Sequence, residues 1–253
     1  MQTIDQLTAL CHWELKNGSH EFPGPSGGTC VNEAALVAAG FEYRKVSHAS
    51  DMPECFSRVI SQFAIGLNDR MSYADRQRLM PFVTRLAGTA DSPEIEKKRA
   101  EHLVKSLVNN VIARMLRNLG KDELAQACAR AETMEECHRA CKTAAAAAAY
   151  AADAAAAAAD AAYAAAAAYA AAADAAAAAA AYAAAAYAAY AYAAYAAYAA
   201  DAWKAERSYL ADWGIGVLGE LLAIGKQAEP VETALVVERM EAIKAAARER
   251  EAA

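Results

Sequence analysis

Apolar residues recur at helical spacing along most of this chain, and no stretch alternates apolar and polar residues with a strand's period. Ile4, Leu7, Leu10 and Leu15 mark the face of a first helix, opened by a Thr3-x-x-Gln6 capping box and closed at Asn17-Gly18. A loop rich in Gly, Pro and Ser follows over 19–28. Thr29 or Ser26 caps a second helix, Cys30 to Ala39, which stops at Gly40. Phe41 to Ser50 reads as an irregular or short extended connection. Ser50 or Asp51 caps a third helix with Pro53 in its first turn, and Phe56, Val59, Ile60, Phe63, Ala64 and Leu67 form its apolar face. It ends at Asn68-Asp69.

The spacing continues in the same way downstream. Ser72-x-x-Asp75 starts a helix that Pro81 kinks or splits before Gly88. Ser92-Pro93 opens a long helix through Leu103, Leu107, Val111, Met115 and Leu119, which ends at Gly120. A short amphipathic helix covers Asp122 to Ala131. A Thr133-x-x-Glu136 capping box then launches a helix with no breaker before Gly214. The run IGVLGELLAIG and Pro230 precede a final helix, Val231 to Ala247, with Arg248 to Ala253 expected to fray. The predicted fold class is all-α. Three segments are expected: a helical domain over 1–132, a long alanine-rich helix over 133–213 and a C-terminal helical segment over 214–253.

Composition changes the picture most between Ala144 and Ala202, which is alanine interrupted by nine tyrosines and four aspartates. Alanine loses no side-chain entropy in a helix, and a tract this long dilutes the cost of nucleation. One unbroken rod would span roughly 90 Å, so the tract projects, folds back or packs along a partner. An alanine methyl contributes only about 0.8 kcal/mol on burial, against about 1.5–3 for a large apolar side chain. The tyrosines are therefore the anchors, with Tyr169, Tyr187, Tyr190, Tyr195 and Tyr198 as the interaction candidates. Asp153, Asp160 and Asp174 keep a heptad spacing that reads as a solvated edge. Ala175 to Ala200 carries no charge and is long enough to cross a bilayer, but alanine is only marginally lipophilic and the tyrosines lie through its middle. Scattered tyrosines and the lack of spaced threonines also argue against a flat ice-binding face.

The net charge of −6 and the lack of a basic run argue against a nucleic-acid footprint. The N-terminal MQTIDQLTALCHWELK carries charges in place of a signal peptide's apolar region. Six cysteines in that context point to reduced thiols and a cytoplasmic location.

The candidate chemistry centres on Cys30, Glu33 and Cys55. A cysteine in the first turn of a helix has its thiolate stabilised by exposed N–H groups and the helix dipole. Glu33 lies one turn along, and His12, His20 and His48 are candidate bases. The competing reading is that the glycines make a turn, Thr29 caps, and Cys30 packs as a small apolar residue. Cys128, Cys137, His138 and Cys141 are weak metal-ligand candidates, because 137 and 141 share a helix face but no second ligand pair stands nearby. No cofactor is indicated: the glycine loop lacks both a P-loop lysine and dinucleotide-fold spacing. Arg76, Arg78 and Arg85 would bind an anion or pair with Asp69 and Asp75.

The blocks GTCVNEAALVAAG, PECFSRVISQFAIGLND and RQRLMPFVTRLAGTAD, followed by KKRAEHLV, resemble an uncharacterised family of bacterial and phage-borne helical proteins. Its pattern is C-x-x-E-A, D-x-P-x-C, L-N-D and R-L-x-G-T, covering about residues 25–105. The resemblance implies no established activity. It singles out Cys30, Glu33, Asp51, Pro53, Cys55, Asn68, Asp69, Arg85 and Thr89, either as a shared pocket or as caps and buried hydrogen bonds. Where relatives place a histidine before the proline, this chain has Met52. Two functions follow as expectations. The first is a non-enzymatic interaction protein that forms homo-oligomers or docks on a protein partner through the alanine-rich helix. The second is a ligand-binding or thiol-dependent enzyme domain built on Cys30, Glu33 and Cys55.

Overall fold

The computed structural model describes residues 14–20, 28–118, 120–148, 200–226 and 228–251. These residues are mostly helical, with one two-stranded parallel sheet. In chain order they form β1 (Glu14–Leu15), β2 (Gly28–Thr29), α1 (Val31–Ala38), α2 (Arg58–Arg70) and α3 (Tyr73–Gln77). There follow α4 (Pro93–Ser106), a π-helical stretch Leu107–Ile112, α5 (Ala113–Asn118), α6 (Asp122–Ala129) and α7 (Met134–Ala148). The last two are α8 (Ala200–Ala223) and α9 (Thr233–Glu251). The chain divides into two compact units, Met1–Ser92 with Gly214–Ala253, and Pro93–Trp213. The tract residues 149–199, with Tyr169, Tyr187, Tyr190, Tyr195 and Tyr198, lie outside the described residues, as do Cys11 and His12.

The first unit is built around α1, in which every residue is buried. Its Leu36 and Val37 lie with Val59 and Ile60 of α2 in the apolar interior, and α9 packs along α1. The end of α1 is closed by Gly40, whose φ of +86° is cheap only for glycine. The Arg239 guanidinium of α9 donates to the carbonyl of Ala38 there, placing a cation at the negative end of the helix.

Several expected boundaries move. The third helix begins only at Arg58, capped by Ser57 Oγ, which accepts from Ile60 N at 3.2 Å. Upstream of it a 3-10 turn, Ala49–Asp51, is tied by Asp51 Oδ2, which accepts from Ser47 N and His48 N. Burial raises the Asp51 carboxyl, but these two N–H donors outweigh it and hold the group below its usual range. Residues 14–15, expected on a helix, are instead a strand paired in parallel with Gly28–Thr29. The expected break at Gly214 is absent, since α8 runs on to Ala223. A Cβ at Gly214 would lie 2.4 Å from Leu67 Cδ2, so glycine is kept there for close approach. The Ser72–Asp75 and Thr133–Glu136 capping pairs form as expected, with Ser72 Oγ and Thr133 Oγ1 each accepting a backbone N–H at 3.2 Å.

In the second unit, Val111 and Met115 pack with Leu107, Leu210 and Trp213. Trp213 Nε1 donates to Ser106 Oγ at 3.0 Å. Glu206 on α8 accepts from Arg114 Nε and Nη2 at 2.7–2.9 Å, and the Arg114 guanidinium lies 4.2 Å over the Tyr209 ring. The start of α8 is thus fastened to α5 by a forked, charge-assisted pair.

Candidate functional site

Cys30 and Glu33 meet at the N-terminus of α1. Cys30 is itself the N-cap, in extended conformation, and its Sγ accepts from Glu33 N at 3.4 Å. The Glu33 carboxylate is fully buried and lies at the centre of six contacts. Oε1 accepts from the backbone N–H groups of His20 at 2.7 Å and Val46 at 3.2 Å. Oε2 accepts from Cys30 N at 2.9 Å, with Thr29 Oγ1 at 3.2 Å, Tyr43 OH at 3.1 Å and His20 Nδ1 at 3.0 Å. A buried carboxylate is tolerated only when donors replace its water, and here they come from three separate stretches of chain: His20, Thr29–Cys30 and Tyr43–Val46. Both oxygens are thereby committed to holding these stretches in place.

The thiol is placed against reactivity as well. Burial first, and then the charge of Glu33, push the Cys30 thiol well above its ordinary value. The helix N-terminus therefore loses to desolvation and a neighbouring anion. His20 turns its Nδ1 to Glu33, and His48 is exposed. Cys55 is half-buried in the turn before α2, where its carbonyl accepts from Ala90 N at 3.0 Å. None of the hydrogen bonds at Cys30 or Glu33 reaches Cys55.

The other pattern-bearing residues also hold backbone in place. Asn68, fully buried, accepts from Val31 N at 3.2 Å and donates to Lys16 O at 2.7 Å. Asp69 accepts from Gly18 N at 2.7 Å. Thr89 Oγ1 accepts from Ser57 N at 3.0 Å and donates to Leu86 O at 2.6 Å. Arg85 lies over the Phe82 ring at 5.6 Å. Arg76 donates to the carbonyls of Asn68 and Met71 at the end of α2, whereas Arg78 pairs with Asp75 at 3.2 Å. The three arginines are thus committed to separate tasks.

The metal candidates divide in two. Cys128, Cys137 and Cys141 are all buried where α6 and α7 pack, while His138 is exposed. Among the described residues no group of His, Cys, Asp or Glu has the arrangement to hold a metal ion. Burial pushes the Cys128 thiol up to about 11 and the Cys141 thiol up to about 12, with smaller contributions from the neighbouring thiols. An unfolded thiol releases its proton near 9, so the unfolded chain loses protons first as pH rises. The stabilisation is fully present below pH 9 and falls by about 1.4 kcal/mol per pH unit per thiol until the folded groups titrate. The urea midpoint is expected to drop between pH 8 and pH 10.5, and Cys128→Ala should make that slope shallower. An unchanged slope would show that this thiol is not buried as described.

The π-helical stretch left no mark in the sequence pattern. Within it Asn109 Nδ2 donates to Ala131 O at 3.0 Å, while its buried Oδ1 has no partner. No helix among the described residues is long and apolar enough to cross a membrane; the uncharged stretch 175–200 lies outside them apart from Ala200. Comparison with known proteins finds no matching family model, no matching curated protein and no matching solved structure.

Proposed function

We propose that this chain is a non-enzymatic helical interaction protein that self-associates, with the stretch Ala144–Ala202 as its packing surface. The observation that carries this reading is the buried Glu33 carboxylate: at the leading candidate for chemistry, its six contacts hold the fold. A second observation supports it. The helix leading into the stretch is seated through buried Cys137 and Cys141, and the helix leading out is fastened by Arg114–Glu206 and Trp213–Ser106. A tract of high helix propensity with few large side chains gains its grip from other helices rather than from itself.

Replacing Tyr187, Tyr190, Tyr195 and Tyr198 together with alanine is the direct test, because it retains helix propensity and removes the anchors. The particle mass by light scattering is expected to fall toward that of one chain. An unchanged mass would remove the tyrosines from the interface. The thiol-dependent alternative on Cys30, Glu33 and Cys55 makes the opposite demand on Cys30. Iodoacetamide is expected to modify Cys30 in the native protein at least about tenfold more slowly than in urea, since a buried neutral thiol is a poor nucleophile. Modification faster than that of a free cysteine would favour the enzymatic reading instead.

A further inference from the structure

The segment Glu14–His20 is held as a bound peptide is held. It adds to β2 as a parallel strand, with Lys16 N donating to Thr29 O at 2.9 Å. Gln77 grips one residue from both sides, accepting from Leu15 N at 2.9 Å and donating to Leu15 O at 2.8 Å. Asn68 Nδ2 donates to Lys16 O, and Asp69 and Glu33 accept from the N–H groups of Gly18 and His20, all three at 2.7 Å. The Leu15 side chain is wholly buried, whereas Asn17 is exposed and Gly18, Ser19 and His20 are half-buried. A Cβ on Gly28 would meet the Lys16 stem at 2.1–2.8 Å, so glycine is what lets the segment lie this close.

These are the elements of strand addition: main-chain bonds supply affinity and one apolar pocket supplies specificity. The groove reads backbone and a single leucine, and it sets the Gly18 and His20 N–H groups against the carboxylates of Asp69 and Glu33. The one sequence shown to fit it is carried by every copy of this chain. We infer that the groove is an exchange site, which takes Glu14–His20 from a second copy so that two chains trade these segments reciprocally. Exchanged and unexchanged forms make the same groove contacts, so the balance between them is set by the connection and by association entropy. The inference rests on the self-association reading and adds to it a contact outside the alanine-rich stretch.

The test uses the full chain with Tyr73 replaced by photoreactive p-benzoylphenylalanine. Tyr73 is exposed and its hydroxyl bonds the Glu14 carboxylate, so the probe sits beside the segment without entering the pocket. Equal amounts of chains carrying light and heavy nitrogen are refolded together, and the dimer is isolated, irradiated and digested. About half of the cross-links between position 73 and Glu14–His20 are expected to join peptides of opposite isotope, as random reciprocal exchange requires. Same-isotope cross-links alone in a dimer fraction would overturn the exchange and leave the tyrosine interface standing. Absence of any dimer would overturn both. Carbodiimide cross-links of Lys16 in the unmodified chain give the same isotope count if the Tyr73 variant does not fold.

Discussion

Glu33→Ala is expected to destabilise the protein by about 3–5 kcal/mol, the cost of removing a buried, fully hydrogen-bonded charge and stranding its donors. The backbone N–H groups of His20, Cys30 and Val46 would all lose their acceptor inside the fold. Glu33→Gln fares little better, because its amide nitrogen must face groups that themselves donate. Hydrogen exchange should locate the damage in Val31–Ala38, 14–20 and 43–46, the stretches tied by this residue. Glu54→Ala, on an exposed side chain, serves as the control and is expected to stay within about 0.5 kcal/mol. A loss below about 1 kcal/mol for Glu33→Ala would mean that the six contacts do not act together.

The second large effect is expected at Glu206. Its carboxylate is buried and takes three bonds from Arg114 and a longer one from Asn118 at 3.3 Å. Glu206→Ala should cost about 2–3 kcal/mol, less than a wholly buried pair because Arg114 is 38% exposed and water can reach it. The guanidinium would keep its seat over Tyr209, so Glu206→Gln is expected to recover about half of the loss. Thermal unfolding and exchange protection over 206–213 provide the readout. Equal losses in both variants would show that shape rather than charge fastens this helix.

What could be read from the residues depended on how local the deciding interaction was. Ser72–Asp75 and Thr133–Glu136 lie three positions apart, so their capping pairs were plain from spacing alone. The juxtaposition of Cys30 and Glu33 was visible for the same reason, as was the shared face of Cys137 and Cys141. The chemistry of Cys30 was not, because the helix end that favours a thiolate is outweighed by burial and by an anion whose own donors arrive from His20, Tyr43 and Val46. Leu15 was read as the face of a helix from its distance to Leu7 and Leu10. It is extended because Gln77, 62 residues away, takes both of its backbone groups, and such a bond leaves no period in the sequence. The glycines of α8 suggested a break at a cost of about 1 kcal/mol each. Contact with Leu67 turns Gly214 from a breaker into a packing residue.

The resemblance had left two readings open for its pattern residues, a pocket or a set of caps. Asp51, Asn68, Asp69, Thr89 and Glu33 each bond backbone groups through their side chains, at turns, helix ends and the segment 14–20. A fold with a nearly all-buried central helix needs such bonds, since its irregular connections cannot satisfy their own N–H and carbonyl groups. In the function proposed above, surfaces rather than a catalytic cleft are the working parts.

Light scattering on the unmodified 253-residue chain as it leaves a sizing column tests this most directly. The expected mass is at least twice the 26.6 kDa of one chain, dropping only when the protein is diluted or its tyrosines are removed. A particle that remains at 26.6 kDa at every concentration examined would contradict it.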